Sequence, residues 1–266
     1  MSEDIYSEWA PQGDAVPLVV SIPHTGTRVP EEIAANFASE SMRSLPNTDW
    51  HLHRLYDFLP ELGVRVIHAN YSRFVVDLNR PPEGGPLYPG RFETGLVPMQ
   101  TFDGEAIWAE PPDAEAVEAR RRRFHAPYHT RLETMLAETR ERFGRAVLID
   151  AHSISSAPTR ISDELVNDIY LGNQEGATCE EWLIGGLEQG FVDHDLRVVR
   201  NHPFKGGYIT RHYGGLDNVE ACQIEMAQRV YMDETDPVNG PEHPRFDQTR
   251  QILRQVIGRV IARLEQ

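Results

Sequence analysis

The chain has 266 residues, of which 26 are basic and 41 acidic, so its formal net charge at pH 7 is −15. This charge argues against nucleic acid as a partner, because binding to a phosphate backbone requires a basic surface. The hydrophobic content of 40% is typical of a globular protein, and no apolar run approaches the roughly 20 residues that span a bilayer. The acidic N-terminus lacks the basic and apolar regions of a signal peptide. We therefore expect a cytoplasmic protein with no membrane partner.

The first half of the chain predicts an alternation of strands and helices. Residues 81–112 are rich in proline and glycine and predict a long loop, and loops of that length usually carry function. The other predicted elements are a loosely held acidic lead-in at 1–16, a strand at 18–22, a short helix from residue 28, an amphipathic helix at 47–62, and strands at 64–68 and 74–78.

The second half continues this alternation. A long helical pattern at 112–143 contains Pro127, which should kink or interrupt the helix. The alternation predicts one domain over residues 1–266, of the α/β class with a largely parallel or mixed sheet. The remaining predicted elements are a strand at 146–153, a helix at 179–189, a strand at 197–200, a glycine-rich loop at 201–215, a strand at 220–225 and a last helix at 244–264.

Two of the predicted strands run directly into a histidine. Residues 17–24 read Pro-Leu-Val-Val-Ser-Ile-Pro-His, and residues 146–153 read Ala-Val-Leu-Ile-Asp-Ala-His-Ser. Side chains two residues apart share a face of a strand, so Asp150 and His152 should point the same way. The carboxyl ends of strands are where open α/β sheets place their chemistry. We therefore predict that His24 and His152 converge on a metal ion; the competing explanation is that each histidine caps its strand by hydrogen bonding.

A catalytic zinc site needs a third protein ligand, which is often a carboxylate. Asp49, in the sequence Asn-Thr-Asp-Trp, is the best candidate, although the same position suits the N-cap of a helix. Asp150, His51 and His53 are alternatives, and Asp150 is better placed to orient a ligand histidine than to bind the metal. Two nitrogens and one oxygen suit other divalent transition metals as well as Zn²⁺.

Glu225 ends an otherwise apolar predicted strand, Ala-Cys-Gln-Ile-Glu. A carboxylate there, close to a metal-activated water, would act as a general base; otherwise it is a surface or capping residue. The sequence contains neither a phosphate-binding glycine motif nor a G-x-S-x-G nucleophile motif.

Cationic residues occur in two groups. Arg73 and Arg80, with Asn79 beside the latter, flank the predicted strand at 74–78, while Lys205 and Arg211 lie in the glycine-rich loop. Arginine forms paired hydrogen bonds with carboxylates, so on an acidic chain these groups predict an anion-binding pocket. Taken singly, each cation is more often part of a surface ion pair of little energetic value.

Six motifs that run in order through nearly the whole chain resemble the N-formylglutamate amidohydrolase (N-formylglutamate deformylase) family. The fourth motif lies in the strand that carries His152, and the fifth lies in the glycine-rich loop described above. The motifs are Ser21-Ile-Pro-His-Thr-Gly26, Thr48-Asp-Trp50, Tyr71-Ser-Arg-Phe-Val-Val-Asp-Leu-Asn-Arg-Pro-Pro82, Asp150-Ala-His-Ser153, Phe204-Lys-Gly-Gly-Tyr-Ile-Thr-Arg-His-Tyr-Gly214 and Gln223-Ile-Glu-Met-Ala-Gln-Arg-Val-Tyr-Met-Asp233.

The resemblance implies a three-layer α/β/α sandwich around a mixed, largely parallel sheet, similar to zinc carboxypeptidases and aspartoacylase. It implies hydrolysis of N-formyl-L-glutamate to formate and L-glutamate, the last step of histidine breakdown. His24 and His152 would bind Zn²⁺. The carboxypeptidase-like group has its acidic ligand three residues after the first histidine, where this chain has Thr27, so Asp49 is an inference and not a match to that pattern.

The resemblance also implies roles for the remaining residues. Glu225 would activate the water, and Arg73 would help to hold the oxyanion. Asn79 and Arg80 would bind one carboxylate of the small-molecule substrate. The second cationic group accounts for the other carboxylate, and we expect Lys205 and Arg211 to bind it. Two other functions stay open: a deacylase of another N-acyl or N-formimino acidic amino acid, and a non-catalytic binder of acidic amino acids.

Overall fold

Seven strands form one mixed sheet in the part of the chain that the computed structural model describes, residues 4–85 and 93–265. Their order across the sheet is β1-β3-β2-β4-β7-β5-β6. The central strands β3, β2, β4 and β7 are mutually parallel, whereas β1 and β5 pair antiparallel with β3 and β7, and β6 is parallel to β5. The strands are β1 (Tyr6–Trp9), β2 (Leu18–Ile22), β3 (Arg65–Ala69), β4 (Ala146–Ile154), β5 (Ile169–Gly172), β6 (Val198–Arg200) and β7 (Val219–Ala227).

The helices of the described chain connect these strands. A π turn at Arg121–His125 joins two of them, α3 and α4, into one long helical segment. Within the described residues no helix is both long and apolar enough to cross a membrane. The helices are α1 (Glu31–Ala34), α2 (Leu52–Leu55), α3 (Ala114–Arg120), α4 (Ala126–Phe143), α5 (Glu181–Val192), α6 (Tyr208–Tyr213) and α7 (Pro244–Leu264).

Strand β2 shows how the sheet separates two layers of helices. All five of its residues are buried. Leu18, Val20 and Ile22 belong to a hydrophobic core that includes α2, α5 and α7, whereas Val19 belongs to a second core that includes α4 and α6. Successive side chains of a strand point to opposite faces, so a strand covered on both faces must be apolar throughout. The predicted three-layer sandwich and mixed sheet are confirmed.

The parallel strands β2, β4 and β7 bring their carboxyl ends to the same edge of the sheet. His24 follows the end of β2, His152 lies near the end of β4, and Glu225 lies opposite His152 in the register between β4 and β7. Gly26 allows the chain beyond β2 to turn, because a Cβ at this position would lie 2.4 Å from the carbonyl oxygen of Tyr71. The edge of the sheet thus collects the three predicted site residues.

The predicted strand at 74–78 is wrong. These residues form turns, and Phe74, Val75 and Val76 are buried in the core on the α4 side of the sheet. An apolar run indicates burial, but it does not by itself distinguish a strand from a buried turn. The lead-in at 1–16 was also predicted wrongly, since it contains β1, which pairs with β3 at the sheet edge. No strand was predicted at 169–172, where the structure has the buried four-residue strand β5.

Other predicted elements are subdivided. The helix predicted at 47–62 is the short α2 followed by a 3₁₀ turn at Leu59–Leu62, which ends at Gly63 with a positive φ of 77°. The loop predicted at 201–215 contains α6. The interruption predicted at Pro127 is present as the π turn just before it. Part of the loop predicted at 81–112, residues 86–92, lies outside the described residues.

Candidate active site

His24 is held by a buried carboxylate. Its side chain is 2% exposed, and its Nε2 donates to Asp77 Oδ1 at 2.7 Å, while Arg73 donates to the other oxygen of Asp77 at 2.8 Å. The Nδ1 atom of His24 is buried and has no hydrogen-bond partner among the described residues. The Asp77 carboxylate accepts a hydrogen bond, so the hydrogen of the neutral ring is on Nε2. The lone pair is therefore on Nδ1, where it is available to a metal ion.

His152 faces His24 with a ring-centroid distance of 4.9 Å. Its Nε2 lies 3.0 Å from Asp150 Oδ2, and its Nδ1 lies 3.2 Å from Asp49 Oδ2. Asp150 and His152 therefore share a face of β4, as predicted from their spacing. Asp150 contacts Nε2, the nitrogen of His152 on the far side of the ring from Asp49, and thereby orients the ring. This orienting role is the one that the sequence favours for Asp150.

Asp49 completes the group. Its Oδ2 lies 3.8 Å from His24 Nδ1, its backbone N–H donates to the carbonyl of His24 at 3.1 Å, and the backbone N–H of Ser153 donates to Oδ2 at 3.0 Å. The N-cap of α2 is His51, so Asp49 does not cap this helix. Across the described residues, His24, Asp49 and His152 form the group that could hold a metal ion, with ligand atoms within 4.8 Å of one another.

The composition of this group fits one divalent transition metal. Two imidazole nitrogens and one carboxylate oxygen are the ligand set of many catalytic zinc sites, and a buried imidazole nitrogen without a partner is costly unless a ligand occupies it. Two alternative ligands considered from the sequence, His51 and His53, bond to other groups. His51 Nε2 bonds to the carbonyl of Pro237 at 2.8 Å, and His53 Nδ1 bonds to the hydroxyl of Thr25 at 2.9 Å.

The surroundings of the two histidines shift their pKa values in opposite directions. Burial, together with the positive charge of Arg73, lowers the pKa of His24. Burial acts in the same way on His152, but the carboxylates of Asp150 and Asp49 outweigh it and hold the pKa of His152 well above its usual value. His152 therefore carries a proton at neutral pH, and a metal ion must displace this proton.

Glu225 lies beside this group and is buried, with 7% of its surface exposed. Burial raises the pKa of Glu225 to about 8, against the positive charges of His152 and Arg73. Gln223, two residues earlier on the same face of β7, donates to Glu225 Oε2 at 3.0 Å and accepts from the backbone N–H of Gly207 at 2.7 Å. A carboxyl group with a pKa near neutrality is suited to proton transfer in both directions.

One cavity adjoins all of these groups. His24, Asp49, His152 and Glu225 are among the polar residues that line it. The apolar residues of the lining are Phe102, Ile154, Ile161, Pro203 and Phe204. Such a combination of a few convergent polar groups and apolar side chains is typical of small-molecule sites.

Three of the four predicted cations line the cavity. These are Arg73, Arg80 and Lys205, whereas Arg211 is exposed on α6 and is not among the described residues of the lining. Arg80 donates to the carbonyl and hydroxyl of Thr94 at 2.7 and 3.0 Å, and Lys205 Nζ lies 2.6 Å from Glu175. The roles of all four toward a substrate stay predictions.

Asn79 also lines the cavity, but its amide contacts protein groups. Its Nδ2 donates to Asp150 Oδ2 at 3.2 Å and lies 2.9 Å from His152 Nε2, and its Oδ1 accepts from the backbone N–H of Ile209 at 2.8 Å. Gly207 permits this close approach, since a Cβ there would lie 2.3 Å from Asn79 Nδ2. The structure thus places Asn79 as a link between β4 and α6, and its predicted contact with a substrate carboxylate stays a prediction.

Sequence reasoning left two residues of this site without a role, Asp77 and Gln223. Asp77 lies four residues after Arg73 and two before Asn79, and that cluster of polar residues inside an apolar run was a signal of a buried polar network. Gln223 precedes Glu225 by two residues, which places both on one face of a strand. Their contacts, however, depend on distant elements that the sequence does not align.

Glu225→Gln is expected to stabilise the metal-free protein at alkaline pH. The folded state holds the proton of Glu225 with a pKa of about 8, against the ordinary 4.5, so ionisation opposes folding increasingly between these two values and fully above the higher one. Glutamine carries no charge, so the Tm of the variant minus that of the wild type should rise across this window. Thermal unfolding of chelator-treated proteins measures it; a difference independent of pH contradicts the raised pKa.

Comparisons with known proteins agree on one family. The family model described as N-formylglutamate amidohydrolase matches residues 16–232. The N-formylglutamate deformylases of Pseudomonas putida and Pseudomonas aeruginosa are 40% and 41% identical to this chain over 251 residues, which cover 93% of this chain and 93% of each relative.

Solved structures show the same relationship. The crystal structure of N-formylglutamate amidohydrolase from Ralstonia eutropha JMP134 matches with a TM-score of 0.82 and 26% identity, over 97% of this chain and 98% of that chain. The structure of a gene product of Agrobacterium tumefaciens matches with a TM-score of 0.75 over 98% of this chain and 96% of that one, and at 19% identity it shows the fold alone. With its fold, its motifs and more than three quarters of its length matched, the chain belongs to the N-formylglutamate amidohydrolase family.

Proposed function

We propose that this amidohydrolase hydrolyses N-formyl-L-glutamate to formate and L-glutamate, with a divalent transition metal and with Zn²⁺ as the first candidate. The observation that carries the proposal is the convergence of His24, Asp49 and His152 beside Glu225 in a cavity that three cations also line. The names of the two Pseudomonas relatives support the choice of substrate. The reaction would be the deformylation step that ends histidine breakdown.

The metal would be held by His24 Nδ1, Asp49 Oδ2 and His152 Nδ1. Asp77 and Asp150 accept hydrogen bonds from the far nitrogens of the two imidazoles, which fixes the nitrogen that each ring presents to the metal. When bound, the metal would supply a Lewis acid that acidifies water and polarises the formyl carbonyl. The buried, unpartnered Nδ1 of His24 supports this assignment.

Glu225 would carry the proton. As a carboxylate it accepts a proton from the water that attacks the formyl carbon, and it then donates that proton to the leaving nitrogen. The C–N bond breaks, formate leaves, and glutamate leaves with a free amino group. The hydrogen bond from Gln223 to Oε2 fixes the orientation of the carboxyl group throughout.

Three cations would complete the site. Arg73 is buried between Asp77 and Asp49 and lines the cavity, where its guanidinium would stabilise the negative charge that develops on the formyl oxygen. Arg80 and Lys205 would each bind one of the two substrate carboxylates. Arg211 is exposed on α6 and is not among the described residues of the lining, so its contact with a substrate carboxylate stays a prediction.

The metal-free protein is expected to bind one equivalent of Zn²⁺ and to release a proton at neutral pH, because the metal displaces the proton that His152 holds. Isothermal titration calorimetry in buffers of different ionisation enthalpy measures both quantities. His24→Ala and Asp49→Ala should abolish tight binding, whereas the control His53→Ala should retain it. Absence of saturable binding to the wild type contradicts the metal site.

Hydrolysis of N-formylglutamate should be sensitive to chelators and restored by Zn²⁺. Glu225→Gln should lower kcat by roughly 10²–10⁴ because the variant cannot transfer the proton, while the zinc content stays unchanged. Release of formate and glutamate measures turnover. Preference for N-acetylaspartate or N-formiminoglutamate would identify a deacylase of different specificity, and binding of acidic amino acids without metal or turnover would identify a binder.

Arg80→Ala and Lys205→Ala should each raise the KM for N-formylglutamate roughly 10- to 100-fold, the value expected for loss of a charge-assisted hydrogen bond. Arg142→Ala, an exposed arginine on α4, is the matched control. N-formylglutamine, which lacks the side-chain carboxylate, shows which cation binds that carboxylate. The variant that lacks this cation should have similar KM values for N-formylglutamine and N-formylglutamate. Unchanged KM values in both variants would place the clamp elsewhere.

A further inference from the structure

A cluster of aromatic side chains between α4 and α6 lies just outside the cavity lining. The rings of His125 and His129 stack with a centroid distance of 4.1 Å and an interplanar angle of 28°. Tyr213 stacks on His129 at 5.9 Å, and Tyr208 lies 5.4 Å from His129. We refer to His125 and His129 as the histidine pair.

The histidine pair contacts the backbone on both sides of Asn79. His129 Nε2 lies 2.8 Å from the carbonyl oxygen of Leu78, and His125 Nε2 lies 3.0 Å from the carbonyl oxygen of Arg80. A carbonyl oxygen only accepts hydrogen bonds, so both Nε2 atoms must carry a hydrogen. Two stacked rings thus donate to the peptide groups at the two ends of the dipeptide Asn79-Arg80, namely Leu78–Asn79 and Arg80–Pro81.

Both rings are neutral at physiological pH. Burial and the neighbouring His125 hold the pKa of His129 well below its usual range, and burial lowers the pKa of His125. In neutral His129 the hydrogen on Nε2 leaves a lone pair on Nδ1, which lies 2.9 Å from the hydroxyl of Tyr213. That hydroxyl also lies 3.2 Å from the carbonyl of His129, but donation to Nδ1 is the arrangement that keeps the hydrogen on Nε2.

The π turn explains how the helical segment formed by α3 and α4 presents both His125 and His129 as hydrogen-bond donors. The backbone N–H of Ala126 bonds to the carbonyl of Arg121, five residues earlier, and Pro127 has no N–H to continue the regular pattern. The extra residue in the turn changes the rotational register between α3 and α4. Since His125 and His129 are four residues apart, they then lie on the same face of the helix, toward the segment that contains Asn79.

The segment at 78–80, which the histidine pair contacts, is part of the proposed site. The Asn79 amide contacts Asp150 and lies 2.9 Å from His152 Nε2, and Arg80 lines the cavity. A rotation of the Leu78–Asn79 and Arg80–Pro81 peptide groups, which enclose these two residues, would move both side chains. Backbone groups in turns that lack sheet or helix partners are free to rotate in this way unless side chains hold them.

We propose that His125 and His129 are positioning residues, which hold the Leu78–Asn79 and Arg80–Pro81 peptide groups and thereby direct the Asn79 amide toward His152 and the Arg80 guanidinium toward the cavity. The inference rests on the proposed function, because it gives Arg80 a substrate carboxylate to bind. Neither histidine is among the described residues of the cavity lining, so each acts through the segment it holds.

The test compares two replacements of His125. His125→Phe keeps a stacking ring and loses the donor, whereas His125→Gln keeps an N–H donor near the position of Nε2. We expect the phenylalanine variant to raise the KM for N-formylglutamate about tenfold, the value for one lost hydrogen bond to a positioning group. Its kcat and zinc content should stay close to those of the wild type. The glutamine variant should restore most of the KM.

A double-mutant cycle separates positioning from a general structural effect. If His125 acts through Arg80, the KM of the double variant His125→Phe with Arg80→Ala should equal that of Arg80→Ala alone. A merely structural role predicts that the two increases multiply. Multiplicative effects, an unchanged KM in His125→Phe, or a glutamine variant no better than phenylalanine would each overturn the proposal.

An NMR measurement on the wild type does not depend on turnover or on any variant folding. Long-range ¹H–¹⁵N correlation spectra should show His125 and His129 as neutral Nε2–H tautomers. Tyr213→Phe should leave His129 in this tautomer, because the carbonyl of Leu78 still accepts a hydrogen bond from Nε2–H. Nδ1–H tautomers in the wild type would overturn the inference. If the tautomers are as expected but the wild type does not hydrolyse N-formylglutamate with any metal, the proposed function fails and the assigned hydrogen bonds remain.

Discussion

The parallel register between β4 and β7, with β2 beside β4, is the constraint on which the rest of the site depends. It places His152 opposite Glu225 and brings His24 to the same edge of the sheet. Because this edge is covered by loops and α6, and not by solvent, all three side chains are buried. Their chemistry follows from that burial, since charged groups in a poorly solvated site must be paired or change their protonation state.

The protein meets this requirement by placing positively and negatively charged side chains next to one another. The Asp77 carboxylate is bound by His24 and Arg73, and the Asp49 carboxylate lies between Arg73 and His152. The pKa of Glu225 is raised whereas those of Asp49 and Asp77 are lowered, so Glu225 keeps its proton more easily than these two carboxylates. A cation between the two imidazoles would take the place of the proton on His152 and would strengthen the same network. The proposed metal site and the protonation of His152 therefore depend on the same set of charged side chains.

Much of the fold and several site residues could be predicted from local sequence. The continuous apolar runs at 18–22 and 146–153 predicted strands that are buried on both faces, and polar residues at their ends predicted the site. His24, Asp49 and His152 were chosen by residue type and position, and the structure brings them together. The apolar run at 74–78 misled the prediction, because burial of a turn and burial of a strand leave the same pattern.

The sequence by itself determined the class of fold, the family through its motifs, and the residue types that could bind a metal, because these follow from local periodicity and from side-chain chemistry. Only the tertiary structure decided that Asp77 holds His24, that Gln223 holds Glu225, that Arg211 is exposed on α6, and that a stacked histidine pair holds the segment around Asn79. The reason is physical: these contacts join residues far apart in the chain, and the packing of whole strands and helices sets their distances.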